Sequence, residues 1–313
     1  MHPDSAIPDM GWGHPEHQGR LRAIASAVGK DLLTLHDKVI QIDPGEATEE
    51  DLLRVHSHEH IRLIRDSANK AERNSKLVQL DPDTMVSSAS WRAAIGSSGA
   101  LLNAVKAVTN RDLTSAFVAT RPPGHHATLD RAMGFCLINH IAVAARWLQA
   151  MGHVDRVLIV DWDVHHGNGT QDIFYSDGTV FYLSLHQWPH YPGSGAKDEI
   201  GDGEGRGWTL NVPLPAQTSS GDYREHFLEA LDCALNICRP EFVLISAGFD
   251  VMIGDPLGGM LLDPEDIYTL TRDVIEHTGE DIGIVAALEG GYDIRQTGLG
   301  TVALIRALAG IDI

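Results

Sequence analysis

Short apolar runs alternate with amphipathic stretches along most of the chain. The apolar runs are rich in Val, Ile and Leu, as is typical of strands buried on both faces of a parallel sheet. They cover residues 115–120, 156–161, 179–185, 208–214, 241–247 and 282–288. The amphipathic stretches repeat apolar residues at helical spacing, and they cover residues 17–28, 49–67, 88–108, 138–151, 222–238, 264–278 and 297–309. This alternation predicts an α/β fold with a mostly parallel central sheet and helices on both faces.

The pattern gives no sign of a boundary between domains. The sequence has no internal repeat, no low-complexity tract and no linker rich in Pro, Gly or Ser. One long segment, residues 186–207, has neither a helix nor a strand pattern, and long loops inside compact domains are usually functional. We therefore predict one domain over residues 1–313.

Polar side chains follow five of the predicted strands, at the point where each strand ends. In open α/β sheets the carboxyl ends of the strands form the edge where ligands bind, so the pattern predicts one site built from several strand ends. The polar residues and glycines after these strands include Arg121, His125, His126, Asp161, His186, Gly248, Asp250, Asp255, Glu289, Gly290, Gly291 and Tyr292.

The stretch DWDVHHGNG, residues 161–169, concentrates metal-binding side chains directly after a strand. Asp163 and His165 are two residues apart, and in extended backbone such residues point the same way, so both can bind one metal ion. Asp255, in the stiff turn IGDPLGG, is the best candidate for a third ligand. One nitrogen and two carboxylates leave coordination positions open, which is typical of catalytic zinc rather than structural zinc.

Two adjacent histidines, His125 and His126, follow a Pro-Pro-Gly turn, and this arrangement predicts an acid–base pair. Each imidazole needs a partner on its second nitrogen, and Asp161 and Asn168 are near enough to the metal segment to serve. Tyr292 follows two glycines, and its phenol can donate a hydrogen bond to the oxyanion that develops from a substrate carbonyl. The sequence thus offers both proton transfer and oxyanion stabilisation.

Other well-known catalytic motifs are missing from the sequence. There is no H-E-x-x-H zinc motif, no G-x-S-x-G nucleophile elbow and no phosphate-binding P-loop. Gly134, Phe135 and Tyr191 are candidates for the walls of a narrow apolar channel. These observations favour hydrolysis by metal-activated water over a covalent nucleophile.

The charge of the chain limits its expected partners. The 24 basic and 43 acidic residues give a net charge of −19, without the clustered Lys and Arg that nucleic acid or an anionic membrane would need. Three cysteines in 313 residues argue against a disulfide scaffold. The sequence shows neither a signal-peptide pattern nor an apolar run long enough to span a membrane. We expect a cytoplasmic protein without nucleic-acid or membrane partners.

Taken together, the motifs resemble the histone deacetylase superfamily. The matching segments run in order along the chain and are GHPEHQGRLRAI (13–24), RPPGHHA (121–127), GFCLINH (134–140), DWDVHHGNGT (161–170), SLHQ (184–187), YPGSG (191–195), NVPL (211–214), SAGFD…GDPLGG (246–259) and LEGGYD (288–293). The resemblance implies the arginase–deacetylase fold, with the active site at the C-terminal strand ends. Asn168 and the form RPPGHHA resemble the class II branch and its bacterial-type histone deacetylase-like amidohydrolases.

The resemblance also implies a role for each site residue. A catalytic zinc ion would be held by Asp163, His165 and Asp255. His126 would be the general base and acid beside His125, with Asp161 orienting His125, Asn168 orienting His126, and Tyr292 polarising the scissile carbonyl. The channel for the acyl-lysine chain would be lined by Gly134, Phe135, Tyr191 and Leu257. A structural potassium ion would be held by Asp161, Asp163, His165, Ser184 and Leu185.

Several functions remain open at this point. The resemblance favours hydrolysis of an acylated lysine or a related acylated amine, because Leu257 stands where an acidic gate would select a polyamine. The alternatives are an acetylpolyamine or small-molecule amidohydrolase, a ureohydrolase-type enzyme with two manganese ions, and a non-catalytic acyl-lysine binder. Whether the chain forms a homo-oligomer is also open.

Overall fold

The strands fall into a small hairpin and one central sheet in the computed structural model, which describes residues 1–11, 13–279 and 281–313. The antiparallel hairpin pairs β1 (Val78–Gln79) with β2 (Met85–Val86). The strands of the central sheet are β3 (Ser115–Val118), β4 (Val157–Asp161), β5 (Val180–Gln187), β6 (Thr209–Leu214), β7 (Phe242–Ala247) and β8 (Gly283–Leu288). They lie in the spatial order β3–β8–β7–β4–β5–β6, and every neighbouring pair is parallel.

Helices connect the strands and flank the sheet. They are α1 (Gly19–Lys30), α2 (Leu32–Leu35), α3 (Glu49–Leu52), α4 (His58–Asn74), α5 (Ser90–Thr109), α6 (His140–Ala150), α7 (Asn168–Phe174), α8 (Ser220–Cys238), α9 (Pro264–Thr278) and α10 (Ile294–Leu308). In the described part of the chain, no helix is both long and apolar enough to cross a membrane.

The predicted α/β fold is confirmed, and all six predicted strands of the sheet are present. The prediction of one helix over 49–67 is wrong, because the chain turns at residues 53–57 and α4 starts afresh. Ser57 has extended backbone, and its side chain accepts the N–H of His60, so it acts as the N-cap of α4. The sequence pattern did not predict α7, whose first residue belongs to the DWDVHHGNG stretch.

Two apolar layers bury the two faces of the sheet. Along β4, Leu158 and Val160 belong to the layer that contains residues of α1, α8, α9 and α10. Val157 and Ile159 belong to the opposite layer, which contains residues of α5 and α6. Since successive side chains of a strand point to opposite faces, one continuous apolar run fills both layers.

The order of the strands reverses beside β4. The chain passes from β4 to β5 and β6 on one side, and β7 and β8 lie on the other. A crevice outside the carboxyl ends of the strands forms at such a reversal. The segments that follow β4 and β7, which contain Asp163 and Asp250, therefore meet at one edge of the sheet.

Candidate active site

A buried group of metal-binding atoms lies where β4 and β7 end. The ligand atoms of Asp163, His165 and Asp250 lie within 4.8 Å of one another. His165 Nδ1 is 3.1 Å from Asp163 Oδ1 and 3.2 Å from Asp250 Oδ2. All three side chains are buried, so water contributes little to solvating their charges.

This group fits a divalent cation. Asp250 Oδ2 is buried and has no well-formed hydrogen bond among the described residues. Burial and the neighbouring Asp163 raise the pKa of Asp250 to about 7. Burial opposes the charged form of His165, yet Asp163 and Asp250 raise its pKa to about 10. Buried negative charge of this kind is stabilised by coordination to a metal, and imidazole with carboxylate suits zinc.

Asp255, the predicted third ligand, does not belong to this group of atoms. Its Oδ2 accepts the backbone N–H groups of Tyr292 at 2.6 Å and Asp293 at 3.0 Å, and its Oδ1 accepts that of Leu257 at 2.9 Å. The ligand set Asp163, His165 and Asp255 therefore stays a prediction. Asp250 is the carboxylate that sequence reasoning noted after a strand but left without a role.

The tandem histidines have partners of different charge. His125 Nδ1 lies 3.1 Å from Asp161 Oδ2, and His126 Nδ1 lies 2.8 Å from Asn168 Oδ1. Despite burial, Asp161 and Asp163 raise the pKa of His125 to about 10. Burial and the adjacent His125 lower the pKa of His126 well below its usual value. The pair thus combines one imidazole that favours its charged form with one that favours its neutral form.

Asp161 and its neighbours form the floor of the site. Asp161 Oδ2 also accepts a hydrogen bond of 2.9 Å from the Tyr182 hydroxyl. The sheet register places Asp161 directly beside Ser184 on β5, and Ser184 Oγ lies 2.9 Å from His186 Nδ1. The structure thus places two of the residues predicted around potassium, Asp161 and Ser184, side by side, and the ion and its full ligand set stay a prediction.

His166, the second histidine of the DWDVHHGNG stretch, lies outside the metal-binding group. Its Nδ1 is 2.8 Å from Ser194 Oγ, and its Nε2 is 3.0 Å from Gln171 Oε1. Both ring nitrogens are therefore used in hydrogen bonds within the protein. This agrees with the absence of His166 from the predicted ligand set.

A pocket of about 430 Å³ opens above these groups. The predicted channel residues and three predicted reactive residues line it together: Gly134, Phe135, Tyr191, Leu257, His126, His165 and Tyr292. The Phe135 and Tyr292 rings meet edge to face at 5.9 Å, as do the His126 and Tyr191 rings at 5.2 Å. The pocket is therefore walled by aromatic rings and has acid–base groups inside it.

Gly134 shapes this pocket through its backbone. Its φ of +56° is in the left-handed region, and a Cβ atom there would come within 2.3 Å of His126 Cδ2. Glycine alone tolerates both the conformation and the close approach. The predicted channel residue Gly134 thus makes room for the imidazole of His126.

Tyr292 is presented to the pocket by a neighbour that sequence reasoning missed. Arg20 donates from Nε to the carbonyl of Gly291 at 2.7 Å, and its guanidinium lies 5.0 Å from the centre of the Tyr292 ring. Burial raises the pKa of the Tyr292 phenol well above its usual value, so the hydroxyl remains a hydrogen-bond donor at neutral pH.

Two further residues of the pocket were not singled out from the sequence, although His190 lies in the long segment 186–207 that was expected to be functional. Asp83 lies in the pocket wall, and its Oδ1 accepts the N–H of Gly134 at 3.1 Å. His190 donates from Nε2 to the carbonyl of Leu257 at 2.8 Å, and its ring stacks on that of His165 at 4.9 Å. Both residues belong to loops that tertiary packing brings to the pocket, and no spacing rule predicts such a contact.

Comparisons with known proteins point to one family. A family model described as "Histone deacetylase domain" matches residues 14–308. A "Probable deacetylase" of Archaeoglobus fulgidus is 35% identical over 306 residues, which are 96% of this chain and 82% of the relative. "Histone deacetylase 15" of Arabidopsis thaliana is 37% identical over 303 residues, 95% of this chain. The chain spans about half (53%) of the length of that plant protein.

A solved structure supports the same relationship. The crystal structure of the HDA15 HD domain superimposes with a TM-score of 0.92 and 35% sequence identity. The match covers 99% of this chain and 90% of the other. The fold is therefore shared over nearly the whole chain.

Proposed function

The chain belongs to the histone deacetylase family, and on that ground we propose that it is a zinc-dependent deacylase acting on N-ε-acyl-lysine or a related acylated amine. Deacetylase hydrolysis in general follows from the family; the zinc ion and the substrate class are the proposal. The observation that supports it best is the aromatic-walled pocket that holds His126, His165 and Tyr292 together.

Asp163, His165 and Asp255 would hold the zinc ion. Asp255 is chosen over Asp250 because it directly precedes Pro256 and Leu257, which line the pocket, whereas Asp250 is fully buried beneath it. When bound, zinc supplies Lewis-acid activation of the substrate carbonyl and of the attacking water. Asp250 would then add negative charge next to His165.

His126 would move the protons of the reaction. Its Nδ1 donates to the neutral amide oxygen of Asn168, which leaves the lone pair on Nε2 free to accept a proton. Water gives this proton to His126 as it attacks the carbonyl carbon. His126 returns the proton to the amine nitrogen as the C–N bond breaks. His125, paired with the carboxylate of Asp161, would supply positive charge beside the reaction.

Tyr292 and the pocket walls would bind the substrate. The protonated phenol of Tyr292 donates a hydrogen bond to the oxygen that becomes negative during the attack. The rings of Phe135 and Tyr191 would flank the aliphatic part of an acyl-lysine and exclude water from it. Leu257 contributes an uncharged side chain where an acidic gate would select a polyamine, which favours an acyl-lysine over a substrate with a second cationic amine. The carboxylate of Asp83 in the same wall accepts hydrogen bonds from the N–H of Gly134 and the hydroxyl of Thr84.

A substrate panel tests this proposal. Zinc-loaded protein is assayed with an acetyl-lysine peptide and with N-acetylputrescine at equal concentrations. We expect faster hydrolysis of the peptide, and loss of activity on both when a chelator removes the metal. Faster hydrolysis of N-acetylputrescine would support the polyamine alternative, and hydrolysis of neither would support a binder without activity.

A further inference from the structure

Glu289 is a buried carboxylate that none of the steps above uses. It follows β8 directly, and it is 1% exposed. The next residues along the chain are Gly290, Gly291 and Tyr292. A buried carboxylate is costly unless its oxygens are well bonded, so its contacts indicate what it does.

The side chain of Glu289 holds the turn that carries the tandem histidines. Its Oε2 accepts the backbone N–H of Gly124 at 2.6 Å and that of His125 at 3.1 Å. Its Oε1 accepts a hydrogen bond of 3.1 Å from the hydroxyl of Ser246, on β7. One carboxylate therefore connects the segment after β3 with the neighbouring strands β7 and β8.

The backbone around Glu289 makes hydrogen bonds to Arg20 and Asp163. Its carbonyl accepts a hydrogen bond from Arg20, which also binds the carbonyl of Gly291. The N–H of Gly290 donates to Asp163 Oδ2 at 2.7 Å. The main chain of this segment is thus tied to the metal-binding group and to the turn of Tyr292, while its side chain is tied to the histidine turn.

We propose that Glu289 is a positioning residue, which sets the distance between the tandem histidines and Tyr292 through the reach of its carboxylate. The two N–H groups it binds are those of His125 and of the residue before it, so a shift of this contact moves both imidazoles. Misplacing a reacting group by about 1 Å can lower a rate by about 100-fold. The kinetic consequence rests on the proposed deacylase function, whereas the contact itself does not.

A matched pair of variants separates reach from charge. In Glu289→Gln the amide oxygen can take the place of Oε2, and the NH₂ group can donate to Ser246 Oγ, so the contacts remain while the charge is lost. In Glu289→Asp the ionisable carboxyl group remains, but it is withdrawn by about 1.5 Å. Both changes are small, and kinetics are measured well below the unfolding temperature of each variant.

The proposal predicts a specific split of kinetic effects. For Glu289→Asp we expect kcat to fall by about tenfold or more, with KM and bound zinc unchanged. For Glu289→Gln we expect kcat to stay within about threefold of the wild-type value. An unchanged kcat in Glu289→Asp, or a loss in Glu289→Gln as large as that in Glu289→Asp, would overturn the role of reach.

Hydrogen exchange of the same proteins gives a readout that needs no activity. In Glu289→Asp the amides of Gly124 and His125 should exchange faster, and in Glu289→Gln they should exchange as in the wild type. Ser246→Ala, which leaves both N–H contacts in place, serves as the control and should also match the wild type. If wild-type protein hydrolyses no acyl amide, the proposed function fails, and exchange alone then decides this proposal: equal exchange in all four proteins refutes it.

Discussion

Asp250 and Asp255 are both buried carboxylates in the segment after β7, yet their environments differ. Asp250 Oδ1 accepts the N–H of Val164 at 3.0 Å, and its Oδ2 faces His165. Asp255 is bonded to the backbone of the Tyr292 turn and lies next to the residues of the pocket wall. An ion that activates a substrate must face the pocket, so we assign the third ligand to Asp255.

Asparagine variants of the two residues test this assignment. In Asp250→Asn the amide oxygen can still accept the N–H of Val164. In Asp255→Asn it can still accept the N–H groups of Tyr292 and Asp293, while the contact with the N–H of Leu257 is lost. Asn is a much poorer ligand for zinc because it has no charge. We expect Asp255→Asn to lose most of its zinc and Asp250→Asn to keep it, as measured by elemental analysis after dialysis. The reverse result would make Asp250 the ligand.

Single residues also mark where prediction from the sequence ends. Asp163, His165, His125, His126 and Tyr292 were found because they directly follow strands or glycine-rich turns in a chemically distinctive order. Asp83 and His190 reach the same pocket from loops, and Arg20, on α1, lies against the ring of Tyr292, which lines the pocket. Local patterns marked the segments that contain Arg20 and His190, residues 13–24 and 186–207, but the contacts themselves depend on the packing of whole elements.

Among the elements, strands were predicted better than the boundaries of helices. A strand buried on both faces gives one continuous apolar run, and each of the six runs corresponds to a strand. The break between α3 and α4 depends on the N-cap at Ser57, and the spacing of apolar residues gives no information about such a cap. Helix α4 matters for the site because its first turn contacts the segment that carries Phe135. The Nε2 atom of His60 lies 2.8 Å from the carbonyl oxygen of Leu137, two residues after Phe135.

The N-cap of α4 can be tested by substitution at Ser57. Ser57→Ala removes the side chain that accepts the N–H of His60, and such a loss costs about 1 kcal/mol of the free energy of unfolding. Ser57→Asn keeps a capping oxygen and should lie within a few tenths of a kcal/mol of the wild type. Urea unfolding monitored by circular dichroism measures both. Equal stability of the Ala variant would show that the cap does not stabilise the helix.

Across the whole molecule, buried histidines make stability depend on pH. Burial and the nearby His60 lower the pKa of His56 to about 3, and burial lowers that of His140 to about 4. His140 Nδ1 lies 2.7 Å from Ser98 Oγ, and its Nε2 lies 3.1 Å from the carbonyl of Pro122, so the neutral ring joins α5 to the turn before the tandem histidines. Both histidines stay neutral in the folded protein at pH values where they are charged in the unfolded chain.

The sign of this effect follows from proton uptake. Below about pH 6.5 these two histidines bind protons in the unfolded chain but not in the folded protein. The free energy of unfolding therefore falls as the pH decreases from about 6.5 toward 4. Each histidine contributes a loss of about 1–2 kcal/mol between pH 7 and pH 5. Between pH 7 and pH 5, we expect the free energy of unfolding of His140→Gln to fall by about 1–2 kcal/mol less than that of the wild type, as measured by urea unfolding. An identical loss in both proteins would contradict the contribution of His140.

For the molecule as a whole, we propose that one pocket combines a zinc ion with a phenol donor to hydrolyse an acyl amide. Comparing wild-type protein with Tyr292→Phe tests it most directly, with kcat on an acetyl-lysine peptide and bound zinc measured on the same samples. We predict turnover by the wild type, and a loss of about 100-fold or more in the variant, as expected for removal of an oxyanion donor, at unchanged zinc content. Equal turnover by the two proteins, or no turnover by the zinc-loaded wild type, would contradict the claim.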